Sequence, residues 1–257
     1  MVGFLELIII SISVGAFVFV PLIPNISLVV QKRGKGVLTG LLCFLLYGIL
    51  LKNIFIYLIL LIPSVDMVLS DNLLYTFFIA LITSALHLVV RMLINYKKPI
   101  NDIFAFSSGE TLLQCVYIGV PLTVLNLVYS LIINFGGFEY LGIPEKLMSV
   151  VTKLINTDYT NYLPYIAYPF FILALNWLSL TVFMGNPNRK KSFYVLSFII
   201  EFIALSIYIY LMLSKLHEFN AIYMSAFFLV VLIVLLINKR KKKINKNDLL
   251  KNRTSLT

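Results

Sequence analysis

Seven uninterrupted apolar runs, each about 20 residues or more, constrain this chain more than any other feature. They cover approximately Phe4–Ile23, Val37–Ile62, Asn72–Ile94, Ile100–Leu122, Leu163–Gly185, Ser192–Ser214 and Asn220–Asn238. A helix rising 1.5 Å per residue needs roughly 20 such residues to cross a hydrocarbon layer ~30 Å thick. Strands of a membrane barrel would be about ten residues long and alternate in polarity, and these runs do not alternate. The runs therefore predict an all-α, polytopic membrane helix bundle of about seven transmembrane helices. Composition agrees. Of 257 residues 60% are hydrophobic and 12% charged, and the mean hydropathy is +0.97, whereas a soluble domain carries about 25% charged residues to cover its surface. The expected partner is the lipid bilayer, and the expected location is the cell membrane as a multi-pass protein.

The cations set the expected orientation, because short connections rich in Lys and Arg stay cytoplasmic. Lys32, Arg33 and Lys35 follow the first run, Arg91, Lys97 and Lys98 the third, Arg189, Lys190 and Lys191 the fifth, and Lys239 to Lys243 the seventh. Every second connection is basic. The others carry Asp66 and Asp71, then Glu139, Glu145 and Asp158, then Lys215 with Glu218. This alternation predicts an N-terminus outside and a C-terminus inside. Met1 to Glu6 has no basic region and no small-residue cleavage site closes the first run, so an uncleaved helix is expected there.

Residues 1–238 are thus expected to form the membrane domain and 239–257 a basic cytoplasmic tail. The tail reads as an anchor at an anionic leaflet, and the net charge of +10 owes much to it and to the inner loops. No nucleic-acid partner is expected. Within the outer connection 136–162, Leu147, Val150, Val151 and Leu154 recur at helical spacing and predict an interfacial amphipathic helix.

Function is legible only through polar residues placed where a bilayer makes them expensive. A charge at mid-bilayer costs about 3 kcal/mol or more, so it usually faces the bundle interior. The candidates are Glu6, Lys52, His87, Arg91, Glu110 and Glu201, with Gln114, Asn126 and Asn176 as neutral companions. Glu110, Asn176 and Glu201 each lie about ten residues, or roughly 15 Å, from the cytoplasmic ends of their spans, and His87 lies nearby. Four consecutive helices therefore offer one polar layer, while Glu6 and Lys52 fall nearer the outside and are expected to form a separate pair. Three readings follow. The groups knit the bundle together, they line a proton or ion pathway, or His87, Glu110 and Glu201 hold a divalent metal such as zinc with Gln114 or Asn176 in support. Cys43 and Cys115 read as ordinary buried thiols.

The third span ending in Arg91, the pair Ala105-Phe106 leading into a fourth span with Gly109, and the polar residues of the fifth and sixth spans together resemble the YhfC-type membrane proteins. That family is regarded as intramembrane metalloproteases distantly similar to the CAAX-prenyl-protease-like group. In the family pattern a Glu-Glu pair precedes the third-span Arg, Gly-His-Gly-x-x-Glu occupies the fourth span, and single histidines lie in the fifth and sixth. Here His87 and Leu88 stand at the pair, Glu110 replaces the fourth-span His, Gln114 replaces its Glu, and Asn176 and Glu201 stand at the later histidines. Polarity is kept while identity is not. The resemblance implies a membrane protein that binds or processes a membrane-associated peptide. In it Glu110, His87 and Glu201 would be the catalytic or ligand groups, and Arg91, Gln114 and Asn176 would orient them. The alternative, from a different class, is a non-enzymatic transport, permease or immunity component with a buried polar pathway.

Overall fold

In the computed structural model, the described residues are 2–62, 70–97, 99–136, 152, 155–185 and 190–254, with side chains described as far as 237. Among them there is no strand, and seven helices are long and apolar enough to cross a membrane. They are α1 (Phe4–Val30), α2 (Gly34–Leu60), α3 (Asn72–Lys97), α4 (Ile103–Gly136), α5 (Leu163–Phe183), α6 (Lys190–Leu213) and α7 (His217–Thr254). The amphipathic segment expected within 136–162 lies almost wholly outside the described residues.

The helices differ sharply in how much of them is enclosed. The span ending in α5 is 61% buried over its most apolar stretch, against 22–28% for the other six. That contrast makes α5 the hub. It packs against α1, α4, α6 and α7, while α2 lies along α4 and α3 along α6. Apolar surface gains nothing by meeting other helices rather than lipid, so close packing and interhelical hydrogen bonds must hold such a bundle.

Glycines supply the close packing where α2 crosses α4. A Cβ on Gly40 would overlap the Phe106 carbonyl, and one on Gly109 would overlap the Val37 carbonyl. The two backbones meet with no side chain between them, in the small-residue mode favoured in lipid. Asn25 of α1 adds a polar tie, donating from Nδ2 to the Ser108 carbonyl of α4 at 3.0 Å.

The fourth helix runs to Gly136, well past the expected end at Leu122. Pro121 would normally break a helical hydrogen bond. Here it follows directly on a wide π-helical turn, Cys115–Gly119, and the Thr123 hydroxyl donates to the Gly119 carbonyl at 2.8 Å. The local change of register accommodates the proline, as happens in membrane helices. A second π-helical turn, Leu45–Leu51, lies within α2. The boundary expected at 239 is not marked by a break either, since α7 continues to Thr254; its lysines and arginines are good helix formers.

Candidate functional site

The buried polar layer is assembled from α3 outward. His87 and Arg91 are four residues apart, so both project from one face of α3. His87 is fully buried and Arg91 is the largest fully buried side chain described. The imidazole Nε2 of His87 lies 2.7 Å from Glu110 Oε1 on α4, and its Nδ1 meets Glu201 Oε1 on α6. Arg91 donates from Nε to Glu110 Oε1 at 3.2 Å and from Nη2 to Oε2 at 2.6 Å. Its Nη1 donates to the Ser179 hydroxyl of α5 at 2.6 Å and lies 3.6 Å from Glu201 Oε2. Four helices thus meet at one closed set of charges.

Two further contacts complete the walls. The Tyr47 ring of α2 stacks on the His87 imidazole with centroids 3.9 Å apart and planes 17° from parallel. The Ser197 hydroxyl of α6 donates to the Ser179 carbonyl at 2.8 Å. Tyr47, Ser179 and Ser197 were not singled out by the sequence. Tyr47 sits in an apolar run and is grouped by composition with the hydrophobic residues. Ser179 carried a usable signal, because it lies three residues after Asn176 on the same face of α5.

The remaining candidates lie around this core. Asn176 bonds Thr111 through Nδ2 at 3.2 Å, and its backbone carbonyl accepts from Ser107 at 3.2 Å and Ser179 at 3.4 Å. It supports the cluster through Ser179. Gln114 is one turn from Glu110 but donates to the Tyr168 hydroxyl at 3.2 Å and takes no part in the charge cluster. Among the described residues no ion pair joins Glu6 to Lys52.

The fit to a zinc ion turns on where the donors face. The carboxylates of Glu110 and Glu201 lie on opposite edges of the His87 ring, one at each nitrogen. A single ion cannot take that imidazole and both carboxylates together. Cys43, His87 and Glu110 bring three ligand atoms within 4.8 Å of one another. An ion among them, however, would share Glu110 with a guanidinium already bonded to both its oxygens. His87, Glu110 and Glu201 therefore do not fit a single zinc ion in this arrangement.

Charge balance explains why the cluster is stable where it is. With both carboxylates ionised and a proton on each His87 nitrogen, the cluster would sum to zero and each carboxylate would have a donor. Buried charge is tolerated only when it is paired and hydrogen-bonded in this way.

No protein-family model matches the chain, and neither the comparison with curated proteins nor that with solved structures finds a match. Fold and site together define a seven-helix integral membrane protein with an internal ionic cluster.

Proposed function

We propose that this protein is a YhfC-like membrane bundle that does not hydrolyse peptides and instead acts as a non-enzymatic component of the transport or coupling class. In it His87, Arg91, Glu110 and Glu201 form an ionic lock across α3, α4 and α6, with the Ser179 hydroxyl of α5 bonded to Arg91. One observation carries this reading: both oxygens of Glu110 and both nitrogens of His87 are engaged with one another or with Arg91 and Glu201. A general base needs a lone pair aimed at water or substrate, and here both Glu110 oxygens and both His87 nitrogens are directed into the cluster.

Access supports the same reading. His87 and Glu110 are fully buried, and neither the cavity beside Arg33 and Lys35 nor the one beside Asn95 and Lys190 is lined by them. In this reading the closed ionic cluster is one state of a two-state element of the kind on which conformational change is built. Opening it would separate α3, α4 and α6 and present charged groups to an entering ion or proton.

The test is bound metal. Protein purified into nanodiscs without chelator is assayed for zinc by elemental mass spectrometry, as wild type and as Glu110→Gln. The lock predicts substoichiometric zinc in both. One zinc per chain, lost in Glu110→Gln, would overturn the proposal in favour of a metallopeptidase centre.

A further inference from the structure

At the basic end of the bundle, between the starts of α2 and α4, lies a cavity of about 240 Å³. Its wall carries two cations, Arg33 and Lys35, and the neutral polar groups Thr39 and Asn101. The backbone builds it. The short turn Gln31–Arg33 brings α2 back against α4, and Gly36 lies so close that a Cβ there would stand 2.8 Å from the Ala105 Cβ.

The two cations are not equivalent. Arg33 is clamped by Asp102, with Nε and Nη2 each donating to a carboxylate oxygen at 2.6 Å. Asp102 in turn accepts from the Ala105 amide at 3.1 Å and so caps α4. Arg33 is thereby held in place, with Nη1 unpaired among the described residues. Lys35 is exposed and its ammonium has no partner among the described residues. Arg33, Lys35 and Asp102 leave the cavity with one net positive charge. Ile100 and Phe106 give it an apolar wall.

We propose that this cavity is a binding site for the phosphate of an anionic phospholipid headgroup. The charge selects an anion, and the Lys35 ammonium, Arg33 Nη1 and the Asn101 amide offer donors to phosphate oxygens, since the Thr39 hydroxyl already donates to the Lys35 carbonyl at 2.7 Å. The position at the ends of two spans puts the site at headgroup depth, where basic pockets between membrane helices recognise anionic lipids. The occupant is lipid rather than free phosphate because the cavity opens at the ends of two spans, where headgroups are the local source of phosphate.

The test compares Lys35→Gln with Lys215→Gln, which removes the same charge from an exposed turn at the opposite end of the bundle. Native mass spectrometry counts phosphatidylglycerol retained by each protein in neutral detergent, with phosphatidylcholine and inorganic phosphate as separate additions. The proposal predicts about fivefold weaker phosphatidylglycerol retention in Lys35→Gln, the loss expected for one lysine at a membrane surface. It predicts no change in Lys215→Gln. Equal retention by the two variants, or phosphatidylcholine held as well as phosphatidylglycerol, would overturn it. Inorganic phosphate displacing the lipid at equal concentration would overturn the lipid assignment.

Discussion

Arg91 of α3 grips Glu110 of α4 through two nitrogens, Nε and Nη2, one to each carboxylate oxygen. Neither side chain reaches solvent. Removing one partner strands the other charge in a low-dielectric interior, at a cost of about 3–5 kcal/mol. Arg91→Leu and Glu110→Leu should each lower the unfolding midpoint in nanodiscs sharply. The double substitution should recover most of the loss, because two leucines need no solvation. Additive losses in this double-mutant cycle would show that the pair does not act as a unit. Arg91→Lys should fail to substitute, since an ammonium cannot make the two-point contact.

The glycine crossing of α2 on α4 separates packing from charge. Gly40→Ala and Gly109→Ala should each cost about 1–3 kcal/mol, because the added methyl meets a carbonyl oxygen of the facing helix rather than a movable side chain. Gly15→Ala is the control. Its added Cβ would lie 3.8 Å from the Phe19 ring, an ordinary contact, so the variant should be neutral or gain up to about 1 kcal/mol of helix propensity.

Much of the fold and half of the site were readable from sequence. Seven spans follow from hydropathy alone, because lipid rewards an unbroken apolar run. The layer of His87, Glu110 and Glu201 follows from residues per turn and the cost of buried charge. The span ends were less legible. The fourth apolar run ended at Leu122, yet α4 continues to Gly136 past Pro121, just beyond a π-helical turn. Pairing was not legible at all. Nothing in the spacing says that Gln114 turns to Tyr168, or that Tyr47 covers His87, because both depend on how α5 and α2 rotate against α4 and α3.

The turn joining α6 to α7 holds Lys215 at φ 56°, in the left-handed region. The Leu216 amide there bonds the Leu211 carbonyl at 3.0 Å, closing the helix end in the manner that favours glycine. Lys215→Gly should therefore stabilise the protein by about 0.5–1 kcal/mol, as the relief of left-handed strain exceeds the added chain entropy. Thermal unfolding in nanodiscs checks it, and a loss of stability would contradict the turn geometry.

The clamp between Arg33 and Asp102 makes a pH prediction. Hydrogen bonding from Arg33 holds the Asp102 carboxyl below the usual carboxylate range, with help from the Ala105 amide, against partial desolvation. A group whose folded pKa is depressed stabilises the fold above its unfolded pKa, here about 3.9. That stability is lost as pH falls through the lower folded value. The unfolding midpoint of the wild type should fall as pH drops below about 4, and Asp102→Asn should lack that component. Identical acid profiles for the two proteins would contradict the clamp.

The ionic lock is tested most directly by the imidazole of His87. The chain has only two histidines, so protein labelled with ¹⁵N-histidine and carrying His217→Gln reports a single ring by solid-state NMR in lipid. The account predicts that both ring nitrogens carry a proton and are hydrogen-bonded, one to Glu110 and one to Glu201. A single-proton tautomer with a bare or metal-bound Nε2 would contradict it.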